Sequence, residues 1–219
     1  RLPGVHLLYI RDSHRSDDIS TGSGPAEPAE VRTGRRLEFQ KRDYRGALAA
    51  YRQALDGSPD PRLTGLILNA VARVQKKSGL LREAVTTYER IQRDHGSVVI
   101  PGGMPLGPSA ALEICGLAAG LEDQARCLQA SIGLYRSLLR REWDLEKAEF
   151  EFFAERAKAF IQPALSDSRA GPDLAASRTE FAALRDEEAA ARRRTERALA
   201  FEEGAAPALA ARAKRTKGT

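Results

Sequence analysis

The chain repeats one spacing of small, aromatic and apolar residues. In each full copy a small residue is followed by Tyr at +4 and by an apolar residue at +7. The two copies stand 37 residues apart, at Ala47, Tyr51 and Ala54, then at Ala84, Tyr88 and Ile91. Positions i, i+4 and i+7 lie on one face of an α-helix, so each copy predicts a helix with one inward stripe. A degenerate third copy has Ser in the small position and comprises Leu128, Ser131, Tyr135 and Leu138.

A single helical hairpin cannot bury such a stripe alone, whereas stacked hairpins shield one another's apolar faces. Gly, Ser and Pro residues mark the expected turns between the helices. Ala, Leu, Arg and Glu dominate and strand-forming runs are scarce, so the predicted fold class is all-α. The predicted helices span residues 30–42, 44–56, 61–77, 81–95, 109–120, 122–140, 146–161 and 173–203.

The sequence also predicts features of the later helices. Gly96 follows the helix over 81–95, and we expect it to adopt the positive φ of a helix end. The helix over 146–161 is rich in Phe and predicts a cap over the open end of the array, or else an aromatic pocket. A break is expected at 162–172. The last helix has sparse apolar positions and is interrupted by Arg192, Arg193 and Arg194, which predicts a mostly solvated helix, or else a coiled-coil or linker helix.

The first helix of the second hairpin adds a further pattern, Leu68, Val71 and Ala72. These three stand where the tetratricopeptide repeat usually has Trp, Leu and Gly, and Pro59 closes the first copy as in that family. With the small-Tyr-apolar spacing, the chain resembles a tetratricopeptide array. The first hairpin departs from the family at the same three positions, which hold Val31, Gly34 and Arg35. The resemblance implies a right-handed superhelical array of antiparallel helix pairs with a capping helix and a long C-terminal helix.

In tetratricopeptide arrays the first helix of each pair lines the concave face. Carried onto this chain, the resemblance implies that one groove holds Arg32, Arg36, Asn69 and Arg73, with Lys76 near its end. Such a groove suits an acidic peptide or a carboxylate held by charge-assisted hydrogen bonds. The family's two-carboxylate clamp pattern is not reproduced. The alternative is a set of ordinary solvated basic residues on helices.

A wider resemblance covers residues 35–161. It rests on the runs LEFQKRDYRGALAAYRQAL, LNAVARVQKKSGLLREAVTTYERI and SLLRREWDLEKAEFEFFAERAKAFI, which look like the repeat-containing ectodomain of bacterial membrane-bound sensor histidine kinases. The resemblance implies a sensory or partner-binding input region. No kinase H-box or ATP-binding motif is present in the sequence, so we do not expect this chain to transfer phosphate itself.

Catalysis, cofactors and metals find little support in the composition. A hydrolase needs a nucleophile, a base and an orienting group, yet the helical part of the chain holds a single histidine, His95. No dinucleotide or Walker pattern occurs. Cys115 and Cys127 lack the CxxC spacing of a zinc site and predict two reduced core thiols or a disulfide. We therefore predict a non-enzymatic chain with no cofactor and no metal.

The net charge of +5 is concentrated near the C-terminus, where residues 204–219 hold no acid and four basic residues, Arg212, Lys214, Arg215 and Lys217. Because acids and bases alternate over the rest of the chain, we do not expect a nucleic acid partner. The tetratricopeptide resemblance implies a protein or peptide partner, and the basic groove suits an acidic one. No apolar run is long enough to cross a membrane. The chain begins with Arg, so we expect a processed or cut-out piece of a longer protein, whose flanking segments carry a membrane anchor or the catalysis. An extracytoplasmic location is favoured, with a cytoplasmic one open.

The loop over 96–108 combines Gly and Pro with apolar residues. It predicts either a connection packed on the repeats or a ligand-contacting loop. The second reading gives the alternative function, an extracytoplasmic small-molecule sensor that uses this loop and the aromatic capping helix. The predicted domains are an N-terminal segment and linker over 1–29, a helical-repeat domain over 30–161, and a C-terminal helix with a basic tail over 162–219.

Overall fold

The computed structural model of the chain describes residues 27–57, 60–100, 103–166 and 174–216, with the side chains of the last helix described as far as residue 197 and at residue 200. Most of the predicted N-terminal segment and the side chains of the predicted basic tail therefore lie outside the described residues. The division of the chain into three domains stays a prediction.

The described residues form helices and no strand, apart from one isolated bridge between Val99 and Pro105. From α1 to α7, each helix packs against the next in the chain, and α5 also contacts α3 and α7. This order confirms the predicted all-α array of consecutive helices. The elements are α1 (Ala29–Arg36), a π-helical turn (Leu37–Lys41), α2 (Tyr44–Asp56), α3 (Pro61–Lys77), α4 (Leu81–His95), α5 (Leu106–Gly120), α6 (Gln124–Leu139), α7 (Lys147–Ser166) and α8 (Ala175–Thr216).

The three repeat tyrosines lie on α2, α4 and α6, the second helix of each pair. Tyr51, Tyr88 and Tyr135 are all buried, and so is the small residue four positions before each of them. Since each tyrosine fills the space beside a small residue of its own helix, the inward stripes predicted from the spacing form the core.

Local signals explain where the helices begin and end. The Asp43 and Asp123 carboxylates accept hydrogen bonds from the backbone N–H three residues on, at the starts of α2 and α6. Asp60 caps α3 in the same way, with Pro at the first helical position. The helical segment before α2 and the helix before α4 are each followed by a residue with a left-handed backbone conformation. These residues are Arg42, with φ 54°, and Gly79, with φ 80°. These two residues are 37 apart, so the repeat extends to its turns.

The π-helical turn explains why the first hairpin departs from the repeat pattern. Gly34 packs on the ring of Tyr51 so closely that a Cβ there would lie 2.6 Å from a ring carbon. Gly34 precedes Tyr51 by 17 residues, whereas the buried Ala72 precedes Tyr88 by 16. A π-helical turn accommodates one extra residue in a helix. The small residue is therefore present in the first hairpin, shifted by one position.

Two expectations for the end of the chain need correction. The expected break at 162–172 begins later, because α7 continues to Ser166 with Pro163 inside its last turn. The missing N–H of proline is tolerated there because only one hydrogen bond of a helix end is lost. The last helix is less solvated than expected, since Phe181, Leu184 and Ala191 pack into the same core cluster as residues of α6 and α7.

The loop between α4 and α5 folds back on itself. The backbone N–H of Leu106 donates to the Val98 carbonyl at 2.8 Å, and the N–H of Gly107 donates to the Gly96 carbonyl at 2.9 Å. The expected positive φ at Gly96 is wrong, because its φ is −61°. Glycine fits for a different reason: a Cβ there would lie 2.9 Å from the Gln92 carbonyl oxygen and 3.3 Å from the Trp143 indole nitrogen.

No helix in the described ranges has both the length and the hydropathy that crossing a membrane requires.

Candidate functional site

A buried glutamate organises the first two helical pairs. The π-helical turn directs Glu38 inward, where it is 1% exposed. Arg73 of α3 donates to both carboxylate oxygens at 2.7 Å, Lys77 donates at 2.8 Å, and the Tyr51 hydroxyl donates at 3.0 Å. Because these side chains donate hydrogen bonds to both carboxylate oxygens, the negative charge of Glu38 is balanced inside the fold.

These contacts set the ionisation of the group. Burial raises the pKa of Glu38, but hydrogen bonds from Arg73 and Lys77 outweigh it and hold the pKa below the ordinary value. Burial and the Glu38 carboxylate raise the pKa of Tyr51 to about 12. Tyr51 therefore stays protonated and Glu38 stays ionised at neutral pH, which is the arrangement that the hydrogen bond needs.

A second glutamate has the same surroundings at the other end of the array. Glu188 of α8 accepts hydrogen bonds from the Tyr135 hydroxyl, from Lys158 at 3.2 Å and from Arg192 at 2.8 Å. Burial opposes ionisation of this group, but the hydrogen bonds from Tyr135 and Arg192 lower the pKa of Glu188. On the flank, Arg136 of α6 pairs with Glu180. The array thus holds α8 through carboxylates as well as through its apolar stripe.

One large apolar side chain beside Glu38 faces solvent. Phe39 is 56% exposed. The Lys77 ammonium nitrogen lies 4.5 Å from its ring centroid and the Arg73 guanidinium carbon 5.2 Å from it, so two cations hold the ring in place. The π-helical turn therefore places a buried anion and an exposed aromatic ring on consecutive residues.

Next to this ring lies a cleft of about 380 Å³, which we name the α1 cleft. Its lining residues are Glu27, Arg32, Arg35, Arg36, Phe39 and Gln40. The Glu27 carboxylate pairs with Arg35 at 2.6 Å, and its backbone carbonyl accepts a hydrogen bond from Arg32. Three guanidinium groups against one carboxylate make the cleft basic.

The predicted groove residues fall into four places. Arg32 and Arg36 line the α1 cleft. Arg73 lies against Phe39 beside the cleft, but its guanidinium is already paired with Glu38. Asn69 lies one turn earlier on α3, is half-buried and does not line the cleft, while Lys76 pairs with Glu113 at 2.6 Å. The predicted ligand contacts of these residues stay predictions.

Sequence reasoning missed Phe39, Arg35 and Glu27. An aromatic residue just after the consecutive arginines at 35 and 36 was the available signal for the first two. Glu27 carried no signal, because it precedes the predicted helix in a polar segment.

A second cleft, of about 460 Å³, lies beside Trp143, and we name it the Trp143 cleft. It is lined by the end of α4, the first residues of the following loop and the segment after α6: Glu89, Gln92, Arg93, Asp94, Gly96, Ser97, Glu142 and Trp143. Most of these side chains are polar, and only the indole offers a broad apolar surface.

No group of metal-ligating side chains that could hold an ion occurs among the described residues. Cys115 and Cys127 are buried free thiols, in agreement with the first of the two predicted states. Burial raises the pKa of Cys115 to about 11. The thiol is therefore protonated at neutral pH and a poor nucleophile.

Comparison with known protein families, with curated proteins and with solved structures found no match to this chain. The candidate site is therefore defined by the residues of this chain alone.

Proposed function

We propose that this chain is a non-enzymatic helical-repeat module of the tetratricopeptide type that binds an acidic protein or peptide segment in the α1 cleft. The observation that supports it is the grouping of Arg32, Arg35 and Arg36 around the exposed ring of Phe39. Arginine forks bind carboxylates through two parallel hydrogen bonds, which gives both strength and orientation.

The ring adds a second requirement to the partner. Aromatic residues and arginine are enriched at protein interfaces relative to the rest of the surface. Because Arg73 and Lys77 already hold Phe39, its contact surface is pre-organised and costs little entropy on binding. We expect the partner to carry an apolar or aromatic side chain beside its acidic residues.

We further propose that the module is the input region of a membrane-bound signalling protein. This rests on the resemblance of residues 35–161 to the repeat-containing ectodomains of sensor histidine kinases. The full open reading frame tests it: a neighbouring transmembrane segment followed by a kinase core supports the assignment, and a frame with neither overturns it.

A charge-reversal experiment tests the binding site. The probe is a fluorescein-labelled peptide of Glu and Phe residues, with the matching Gln and Phe peptide as its neutral counterpart. We expect Arg36→Glu to weaken binding of the acidic peptide by about five- to tenfold, because one ion pair is replaced by a repulsion.

Arg82→Glu is the matched control. Arg82 is an exposed residue of α4, and the same charge change there lies outside the cleft. Equal binding by the two variants, with unchanged thermal unfolding, would remove the α1 cleft as the site.

The Trp143 cleft supports a second candidate, an extracytoplasmic small-molecule sensor. It joins the start of the 96–108 loop, which the alternative hypothesis names, to Trp143, whereas the aromatic helix α7 does not line it. A polar small molecule that fits this cleft would raise the melting temperature and change the emission of Trp143, the only tryptophan of the chain. A metabolite screen that produces neither effect counts against this candidate.

A further inference from the structure

Glu27 already occupies part of the α1 cleft. Its carboxylate lies 2.6 Å from the Arg35 guanidinium, and its main-chain carbonyl accepts a hydrogen bond from Arg32. A single acidic residue is thus held at two points, one on its side chain and one on its backbone. The same two groups are available on any glutamate of an extended peptide.

The backbone of Glu27 suits this comparison. Pro28 follows it and stands just before α1, with φ −53° and ψ 145°. A residue that precedes proline is biased toward extended conformations. Glu27 lies before α1, and the proline that follows it favours the extended backbone that an acidic peptide segment would have.

We propose that Glu27 is an internal competitor for the α1 cleft, and that the partner is an extended acidic segment whose glutamate takes its place. The incoming carboxylate binds Arg35 and the incoming main-chain carbonyl binds Arg32. This inference rests on the proposed function, because it names the conformation and the anchor residue of the same partner.

Displacement of Glu27 is feasible on physical grounds. The Arg35 side chain is 60% exposed and that of Glu27 is 33% exposed, and ion pairs this open to water contribute little. Glu27 precedes α1, so its release breaks no helical hydrogen bond of that helix. The partner also reaches Arg36 and the Phe39 ring, which line the cleft beyond the two contacts that Glu27 makes.

If Glu27 had only a structural role, its removal would not strengthen binding of the peptide. An acidic residue near the first turn of α1 also stabilises the helix dipole, and its loss would lower stability without improving binding. Glu30 provides the comparison, since it is the acidic residue of the first turn of α1 and does not line the cleft.

The test uses the full chain and the labelled Glu and Phe peptide. We expect Glu27→Gln to bind the peptide about two- to fivefold more tightly than the unchanged chain, the range that an exposed ion pair allows. Glu30→Gln, with the same change of charge, should bind as the unchanged chain does. Circular dichroism melting of both variants checks that the fold is retained.

The outcomes separate this inference from the proposed function. If Arg36→Glu weakens binding but Glu27→Gln binds no more tightly than Glu30→Gln, the competitor role is overturned and the cleft remains the site. If Arg36→Glu binds as Arg82→Glu does, or no variant binds the peptide, both fail. Tighter binding by both glutamine variants would indicate a general effect of charge and would also overturn the competitor role.

Discussion

The Tyr51 hydroxyl donates a hydrogen bond to the buried Glu38 carboxylate at 3.0 Å, and Tyr135 donates in the same way to the buried Glu188. In both places a lysine and an arginine complete the set of donors. The repeat tyrosine therefore has two roles. Its ring fills the space beside a small residue, and its hydroxyl helps to hold a charge that joins neighbouring elements of the array.

The hydroxyl of Tyr51 is expected to contribute measurably to stability. Tyr51→Phe keeps the ring and removes one hydrogen bond to a buried charged group, so the free energy of unfolding should fall by about 1.5–3 kcal/mol. Tyr88→Phe is the control, because no buried carboxylate is seen to accept from Tyr88 within the described ranges. Urea unfolding of both variants measures the difference, and equal losses would contradict the role given to the hydroxyl.

Glu38 should make stability depend on acid pH. Its pKa is lower in the folded chain than the ordinary value of about 4.5, so its contribution is present above that value and is lost as pH falls through the folded-state pKa. We expect Glu38→Gln to unfold more easily than the unchanged chain at pH 7, with the difference shrinking toward pH 3.

Urea unfolding at a series of pH values measures this change. Glu113→Gln serves as control, since it makes the same substitution in an ion pair, with Lys76, that is open to solvent. A difference between Glu38→Gln and the unchanged chain that stays constant over this pH range would contradict the assigned direction.

Arg42 ends the π-helical turn in the left-handed region, with φ 54°. This conformation costs an L-residue about 1–2 kcal/mol and costs glycine much less. Arg42→Gly should therefore raise the melting temperature by a few degrees, while Gly79→Ala, at the corresponding turn, should lower it. Thermal unfolding of the two variants compares them directly, and a lower melting temperature for Arg42→Gly would show that the side chain contributes more than the strain.

Gly107 lies directly under Trp143, where a Cβ would be 2.1 Å from the indole nitrogen. Gly107→Ala should destabilise the chain by about 1–3 kcal/mol, because the indole or the start of α5 must shift. Gly116 lies on the same helix with no atom within 4 Å of a Cβ, so Gly116→Ala should be neutral or stabilising. Chemical unfolding of both variants tests the packing, and similar values would contradict it.

The periodic spacing of apolar residues predicted the helices, because a helix depends only on residues close together in the sequence. The helices that carry Tyr51, Tyr88 and Tyr135 follow from an i, i+4, i+7 spacing, which requires nothing beyond one helix. The π-helical turn was missed because a single inserted residue shifts Gly34 without disturbing the stripe around Tyr51. Gly96 was misassigned because glycine at a helix end also permits close packing, and its neighbour Trp143 lies far along the chain.

The site was harder to predict because its partners are distant. Arg73 was assigned to a ligand, but its internal partner Glu38 lies 35 residues away. The last helix was expected to be solvated because its apolar positions are sparse, and the burial of Glu188 depends on Tyr135, which lies 53 residues away. Burial of a charged residue can be predicted only when its partners are known. A local sequence pattern does not contain partners that lie far along the chain.

Photo-crosslinking tests the proposed binding site most directly. The acidic Glu and Phe peptide, carrying a photoreactive phenylalanine, is irradiated with the full chain, and the modified residues are mapped by mass spectrometry. We predict that crosslinks fall within residues 27–40, at the α1 cleft, and decrease in Arg36→Glu but not in Arg82→Glu. Crosslinks concentrated at residues 89–97 and 142–143, the Trp143 cleft, or spread evenly over the array, would contradict the account.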